Sequence, residues 1–367
     1  MSTTITAAVA RGDSDFSVEQ LVLEDPRPEE MLVRYHASGL CHTDLEAARG
    51  TVPTPRPAVL GHEGAGEVVA VGPAVSGFAP GDRVLLSLDS CGSCRNCLAG
   101  QPAYCIHHIE LNFHATRADG SVGLRDNAGR PVHDHFFGQS SHASYGLVHP
   151  RAAVKVDGDL PLELLAPMGC GVITGAGAVF NSLRVQAGST VAVFGAGAVG
   201  LSALMAAVAA GATDIVVVDR NRERLALATE LGAAHAIDAT SADSLEAVLD
   251  LTDGRGVDHA VESTGVLAVM NTAIRALAPR GSAAILGVTE PDAALQANVF
   301  ELLKGRTVTG SVMGHQAPGV LIPRLLALHR AGSFPLERLV RTYPLEQIDT
   351  AITDVAAGGT VKAVLIP

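Results

Sequence analysis

Val191-Ala-Val-Phe-Gly195-Ala-Gly197-Ala-Val-Gly200 reads as a buried strand running into a G-x-G-x-x-G turn, and the Ala- and Leu-rich stretch after it reads as a helix. Alone, the glycine pattern is a weak signal; between a strand and a helix it is the arrangement that binds a dinucleotide. Gly195 permits the tight turn and Gly197 lets the backbone approach a pyrophosphate. Gly200 lets the helix pack close, so that its first N–H groups face the anion. The next strand candidate, Ile215-Val-Val-Val-Asp219, ends in an acid 19 residues after Gly200. A carboxylate there accepts both hydroxyls of an adenosine ribose and repels a 2′-phosphate, which favours NAD over NADP. Arg220, Arg222 and Arg224 pull the other way, since arginine pairs with a 2′-phosphate; a helix cap is the plainer reading of Asp219.

Outward from this stretch the chain changes character near residue 170. Beyond it, strand-like runs (Thr190–Phe194, Ile215–Asp219, His235–Ile237, Val257–Glu262, Ser282–Val288, Thr307–Met313) alternate with helical stretches, which predicts a doubly wound parallel sheet. Before it, short Val- and Leu-rich runs (Val18–Leu23, Met31–His36, Gly66–Val71, Arg83–Leu88) are separated by turn signals such as Asp25-Pro26 and Pro80-Gly81-Asp82, the pattern of an antiparallel, β-rich domain. A helix (Leu321–Ala331) and a last strand (Val361–Ile366) in the tail rejoin that first domain, making it discontinuous: 1–171 with 315–367, around a dinucleotide-binding domain at 172–314.

All six cysteines fall into patterns that suit metal. Cys91, Cys94, Cys97 and Cys105 form C-x2-C-x2-C-x7-C, and four thiolates so spaced close a tetrahedral zinc shell against water. Cys41 opens Cys-His-Thr-Asp, His62 lies in Gly-His-Glu-Gly, and Cys170 stands in Gly-Cys-Gly. Two cysteines and a histidine make a three-ligand zinc site with a fourth position open, although spacing alone leaves buried free thiols as an alternative. Disulfides are the other reading of an even cysteine count. A chain of 367 residues with 47% hydrophobic content can build its core without staples, and no basic segment followed by an apolar run marks the N-terminus for secretion.

Composition narrows the class. Mean hydropathy is +0.28, yet no uninterrupted apolar run reaches the ~20 residues of a membrane-spanning helix. A net charge of −12 with no basic stripe argues against nucleic acid. The expectation is a cytoplasmic protein with no membrane or nucleic-acid partner.

Metal ligands and dinucleotide fold arrive in a known order, and over essentially its whole length the chain resembles the zinc-dependent medium-chain alcohol dehydrogenases. Gly-His-Glu around His62, the four-cysteine lobe, Gly-Cys-Gly and the glycine fingerprint carry the resemblance. Phe136-Phe137-Gly-Gln-Ser-Ser and Met168-Gly-Cys-Gly-Val-Ile-Thr-Gly-Ala-Gly-Ala-Val-Phe-Asn-Ser-Leu point within it to the aryl-alcohol (benzyl alcohol) dehydrogenases. The resemblance implies a two-domain α/β protein, a GroES-like catalytic domain plus a Rossmann domain. It implies two zinc ions per subunit, NAD, and reversible oxidation of primary aryl or allylic alcohols to aldehydes. Dehydrogenases of formaldehyde or glutathione adducts, aliphatic alcohols and sugar alcohols share the same ligands, and a non-catalytic NAD-binding scaffold shares the fold.

Residue by residue, the resemblance makes Cys41, His62 and Cys170 the catalytic zinc ligands and Glu63 an alternate ligand. Asp44 becomes the carboxylate that orients His62, and Thr43 the hydroxyl that meets the substrate oxygen. His42, Thr174, Val199, Arg224 and Lys362 fall at cofactor-contact positions, with a solvated surface the default for Lys362. Ser87, Phe136 and Phe137 fall at substrate-pocket positions, while His135 and His142 add polarity without an assigned purpose. Many relatives end a proton relay on a histidine five residues after the first zinc cysteine; here that position is Glu46, either a proton acceptor or a solvated helix residue. Thr307–Met313 would be a long apolar sheet edge, which relatives pair across a two-fold axis, implying a homodimer or homotetramer.

Overall fold

The computed structural model describes residues 3–12, 15–158, 160–290, 292–296 and 298–367. The chain divides into two compact units, Met1–Cys170 with Ala317–Pro323 and Leu336–Pro367, and Gly171–Gln316 with Arg324–Pro335. Residues 324–335, expected with the first domain, group with the second. Arg324 shows why: its guanidinium lies 4.0 Å from the ring centroid of Phe180, a cation–π contact that holds this stretch to the second unit.

The first unit is built on two sheets. Thr3–Gly12 and Asp15–Leu23 form a long antiparallel hairpin, extended by Ala58–Val59 on one side and by Leu124–Arg125 and Pro131–Val132 on the other. The second sheet runs Ala153–Lys155, Arg83–Leu86, Gly64–Val71, Met31–Gly39, Lys362–Ile366, Val340–Pro344, with Tyr145–Val148 also paired to Met31–Gly39. Along Met31–Gly39 the residues at Met31, Val33 and Tyr35 are buried in alternation, as a half-covered antiparallel strand requires. From Ala37 to Gly39 burial becomes continuous, and this buried end leads into the site. The tail strand Lys362–Ile366 pairs there, Val364 with Gly39 and Leu365 with Ser38, so the last residues of the chain complete the first domain.

The second unit holds a six-stranded, wholly parallel sheet in the order His235–Asp238, Asp214–Asp219, Thr190–Phe194, Val257–Glu262, Leu277–Ile285, Thr307–Gly310. This is the doubly wound order, with its switch point between Thr190–Phe194 and Val257–Glu262. Thr190–Phe194 is buried at every position, which explains its unbroken apolar reading. Two strands differ from expectation. Ser282–Val288 is displaced to Leu277–Ile285, because beyond Ile285 the chain turns so that Gly287 abuts Gly265; a side chain on Gly287 would come within 2.1 Å of the Gly265 nitrogen. Thr307–Met313 stops at Gly310, since Met313, Gly314 and His315 take φ of 48°, 79° and 54°. The edge is therefore short rather than long. No single helix among the described residues is long and apolar enough to cross a membrane.

Candidate active site

Cys41 caps the helix His42–Arg49 from an extended backbone (φ −119°, ψ 156°). In the helix's first turn Asp44 reaches back: its Oδ2 accepts the Cys41 N–H at 2.8 Å, and its Oδ1 accepts the Gly61 N–H at 3.1 Å. Oδ1 also lies 2.7 Å from His62 Nδ1. Burial pushes the Asp44 carboxyl up, but the His62 and His142 rings outweigh it and hold Asp44 far below the usual carboxylate range. Gly61, at φ 92°, has no room for a side chain, whose first carbon would meet the His142 nitrogen at 2.6 Å. Cys170 arrives from a different part of the chain, at the end of the turn Ala166–Gly169.

These placements bring Cys41 Sγ, His62 and Cys170 Sγ within 4.8 Å of one another. With Asp44 accepting from Nδ1, His62 Nε2 presents its lone pair; it is buried and makes no hydrogen bond among the described residues. A polar atom so placed is costly unless something fills it. The Cys170 side chain lowers the Cys41 thiol, while the same contact and burial raise Cys170. One thiolate, a second thiol and an orphan imidazole nitrogen are the donor set of a three-ligand zinc site, so the residues fit the ion.

The four-cysteine lobe fits a closed site. Cys94 starts the helical turn Arg95–Leu98, which carries Cys97, and the turn Pro102–Tyr104 delivers Cys105. Sulfurs of Cys91 and Cys97 lie 3.9 Å apart and those of Cys94 and Cys97 3.5 Å. An ion with tetrahedral bonds near 2.3 Å holds its sulfurs about 3.8 Å apart. Backbone N–H groups point at the sulfurs, Cys94 at Cys91 (3.3 Å) and Cys91 and His107 at Cys105 (3.4 Å each), the contacts that thiolates accept. All six cysteines are free of disulfides.

Around the three-ligand site the structure changes several expectations. Lys362 is buried, not on a solvated surface; its Nζ donates to Leu40 O and to Glu63 Oε1, both at 3.0 Å. Burial lowers and the Glu63 carboxylate raises its pKa, and the carboxylate wins. Lys362 and Glu63 thus form one buried pair beside His62. Ser87 is buried, and its hydroxyl donates to Gly169 O at 2.6 Å, bracing the segment before Cys170. Phe136 and Phe137 are buried against the His62 ring, at 5.7 and 4.5 Å between centroids. Thr43 Oγ1 is 3.9 Å from Cys41 Sγ. His42 is exposed, 3.4 Å from Glu46, whose carboxylate also binds Arg49 at 2.8 Å.

Sequence reading missed a shell of buried polar residues. Gln139 Nε2 donates to His62 O (3.1 Å) and Ser87 O (2.8 Å), and its Oε1 accepts the Gly64 N–H (2.9 Å). His142 Nδ1 lies 2.8 Å from Ser38 Oγ, and its Nε2 3.7 Å from Asp44 Oδ2. These partners are up to 104 positions apart in the chain, so no local pattern announces them. The unexplained polarity of His135 resolves too: Nδ1 is 2.9 Å from Asp134 and Nε2 3.4 Å from Glu30.

In the second unit the glycine fingerprint has the required geometry. A side chain on Gly200 would strike Gly195 O at 1.7 Å, whereas one on Gly197 would meet nothing within 4 Å. That open space lies at the N-terminus of the 12-residue helix Ala198–Ala209, where a pyrophosphate can approach the backbone. Asp219 does not cap the next helix; Asn221 does. Asp219 instead accepts the Ala196 N–H at 2.6 Å and the Asn221 N–H at 2.8 Å. Arg222 is drawn off to Asp238 at 2.9 Å, and Arg224 sits in the first turn of the helix Arg222–Glu230, with Arg220 exposed. Val199 lies in the first turn of the fingerprint helix. Thr174 is buried on Gly171–Gly177, a helix packed so closely on the fingerprint helix that a side chain on Gly175 would meet Val199 O at 2.0 Å.

Comparison with known proteins agrees with this geometry. The alcohol dehydrogenase GroES-like domain family matches residues 27–158, and the zinc-binding dehydrogenase family residues 198–327. The chain is 45% identical over 352 residues to a geraniol dehydrogenase of Castellaniella defragrans, covering 95% of this chain and 94% of that one. A crystal structure of an alcohol dehydrogenase zinc-binding domain protein from Burkholderia ambifaria matches with a TM-score of 0.97 at 50% identity over 100% of both chains. Benzyl alcohol dehydrogenase from Acinetobacter calcoaceticus matches with a TM-score of 0.95 at 41% identity over 99% of each. The chain belongs to the zinc-dependent medium-chain alcohol dehydrogenase family.

Proposed function

We propose that this alcohol dehydrogenase oxidises primary allylic or benzylic alcohols reversibly to aldehydes, with NAD as the hydride acceptor and two zinc ions per subunit. The observation that carries the chemistry is the orphan His62 Nε2 facing two cysteine sulfurs, with its other ring nitrogen held by Asp44. Bound there, zinc supplies a Lewis acid that lowers the pKa of an alcohol hydroxyl at the open position. The chain's own residues do the rest. Asp44 fixes the His62 tautomer and ring direction. Thr43, whose Oγ1 lies 3.9 Å from Cys41 Sγ, serves as the hydroxyl that meets the substrate oxygen and starts the proton on its way out. Glu63, held by Lys362, keeps a carboxylate next to His62 as an alternate ligand. Gly195, Gly197 and Gly200 clear the pyrophosphate site, and Asp219 supports NAD over NADP. His42, Thr174, Val199, Arg224 and Lys362 are carried as cofactor contacts.

The substrate class rests on the aromatic surroundings of His62 and on relatives that act on geraniol and benzyl alcohol. Ser87, Phe136 and Phe137 are carried as pocket residues, one small side chain and two aromatic ones. Assembly as a homodimer or homotetramer is supported by Thr307–Gly310 ending the sheet among the described residues and by the exposed apolar side chains of Val299, Phe300 and Leu303 shortly before it in the chain.

The test is NADH formation at 340 nm with geraniol, cinnamyl alcohol, benzyl alcohol, ethanol and sorbitol, each with NAD and with NADP. Rapid turnover of the first three with NAD is expected. Turnover confined to ethanol or sorbitol would discard the substrate class while keeping the chemistry. Inactivity on all five with zinc and NAD bound would sink the enzymatic reading for these alcohols.

A further inference from the structure

Asp44 holds the His62 imidazole by its edge; an aromatic ring holds it by its face. Phe137 stacks on His62 with centroids 4.5 Å apart and planes 27° from parallel, while Phe136 meets it edge-on at 5.7 Å. To reach that position Phe137 takes φ 52°, ψ 33°, a left-handed backbone that glycine adopts freely and phenylalanine rarely. A bulky side chain kept at a conformation that disfavours it implies that the ring is needed where it lies.

Behind Phe137 the packing continues. Phe113 meets its ring edge-on at 5.1 Å and 65°, and His108 at 6.4 Å and 88°. His108 and Phe113 are the first and last residues of one short helix. That helix begins three residues after Cys105, and its first N–H, from His108, donates to Cys105 O at 3.0 Å. Contact therefore runs unbroken from the last cysteine of the four-thiolate lobe, through His108 and Phe113, to Phe137 and onto a ligand of the other metal site.

We propose that Phe137, backed by Phe113 and His108, is a positioning residue that sets the plane of the His62 ring and couples the four-cysteine lobe to the Cys41, His62 and Cys170 site. Order in the lobe holds the short helix, the helix backs Phe137, and Phe137 keeps Nε2 aimed between the two sulfurs. A lobe that loses its metal then weakens the hold of the second site on its own. The inference rests on the metal reading of that site given above.

The experiment uses full-length protein with zinc in the lobe and cobalt(II) at the three-ligand site, whose visible d–d bands report ligand geometry. Phe113→Ala removes the backing without touching either ligand set. It should shift or broaden the bands and speed cobalt release to a chelator by about tenfold, the scale on which outer-sphere partners act. Phe113→Leu, which keeps apolar bulk there, should restore most of both. Leu147→Ala, a core truncation elsewhere in the same domain, controls for general loosening and should leave bands and release as in the wild type. Cys97→Ser, or wild-type protein with its lobe emptied by titrated chelator if that variant does not fold, should reproduce the spectrum of Phe113→Ala.

Wild-type bands and release in Phe113→Ala would overturn the positioning role, as would the same change in Leu147→Ala. An emptied lobe with an unaltered cobalt spectrum would overturn the coupling. Wild-type protein that takes up no cobalt at the three ligands would instead overturn the metal reading beneath it.

Discussion

Asp44 serves three donors with one buried carboxylate, the amides of Cys41 and Gly61 and the ring of His62. Asp44→Asn keeps the shape but turns an NH2 group toward donors, so zinc affinity should fall by about 10- to 100-fold in competition with a chromophoric chelator. Undiminished affinity would show that His62 is oriented without it. Asp219, proposed to meet the cofactor ribose, also steadies the glycine turn through the oxygen that accepts the Ala196 N–H. Asp219→Asn should lower kcat/KM for NAD by about tenfold or more, the value of a charge-assisted hydrogen bond, and lower that for NADP less. Equal losses would leave Asp219 with the turn alone. Glu46 is pulled below the usual carboxylate range against its burial, by Thr51, Arg49 and His42, so it is a poor proton acceptor near neutrality. Glu46→Gln should leave the pH profile of kcat/KM unchanged; a displaced limb would put Glu46 in the proton path. The candidate ligands were legible through the resemblance, because each stands in a short motif of adjacent residues: Cys-His-Thr-Asp, Gly-His-Glu, Gly-Cys-Gly. Gln139 and His142 were not, because what they do depends on carbonyls and hydroxyls far along the chain.

Among the elements, the strand, glycine turn and helix from Thr190 to Ala209 form as expected, because burial, positive φ and close packing are all local demands on this stretch. Gly200→Ala would place a carbon 1.7 Å from Gly195 O, a backbone atom that cannot swing aside. It should destabilise the second domain by about 1–3 kcal/mol in urea unfolding; a neutral result would mean that the turn is looser than its geometry implies. Strand ends were the harder part. Val312 and Met313 have strand-like side chains, yet left-handed backbone at Met313, Gly314 and His315 turns the chain after Gly310. That turn seats Gly314 so tightly that a side chain on Gly177 would meet its Cα at 2.2 Å, a constraint that side-chain propensity does not register. The tail helix, read in sequence as Leu321–Ala331, spans Pro318–Arg330, and from Arg324 on it groups with the second unit, where Arg324 lies over the Phe180 ring.

At the scale of the whole molecule, the network of Glu30, Arg117, Asp134 and His135 ties together segments more than a hundred residues apart in the first domain. Burial alone would lower His135, but Asp134 and Glu30 raise it to about 9, so the folded state favours the protonated ring. Its stabilisation is complete below the unfolded pKa of about 6.5 and is lost as pH rises through about 9. Thermal stability should therefore fall across that window, and His135→Gln should flatten the fall; an equal slope in both proteins would assign it to other groups. By itself the sequence indicated the class: which strands alternate with helices, where a strand runs through a glycine turn into a helix, and that the six cysteines fall in patterns that suit metal. Those are decided by short-range spacing, since ligand geometry and backbone sterics act over a few residues. Only the tertiary structure decided that Lys362 is buried on Glu63, that Asp219 braces the glycine turn, and that Phe137 lies against His62. Each of those depends on desolvation and contact between segments distant in the chain, and such forces exist only once the chain has folded.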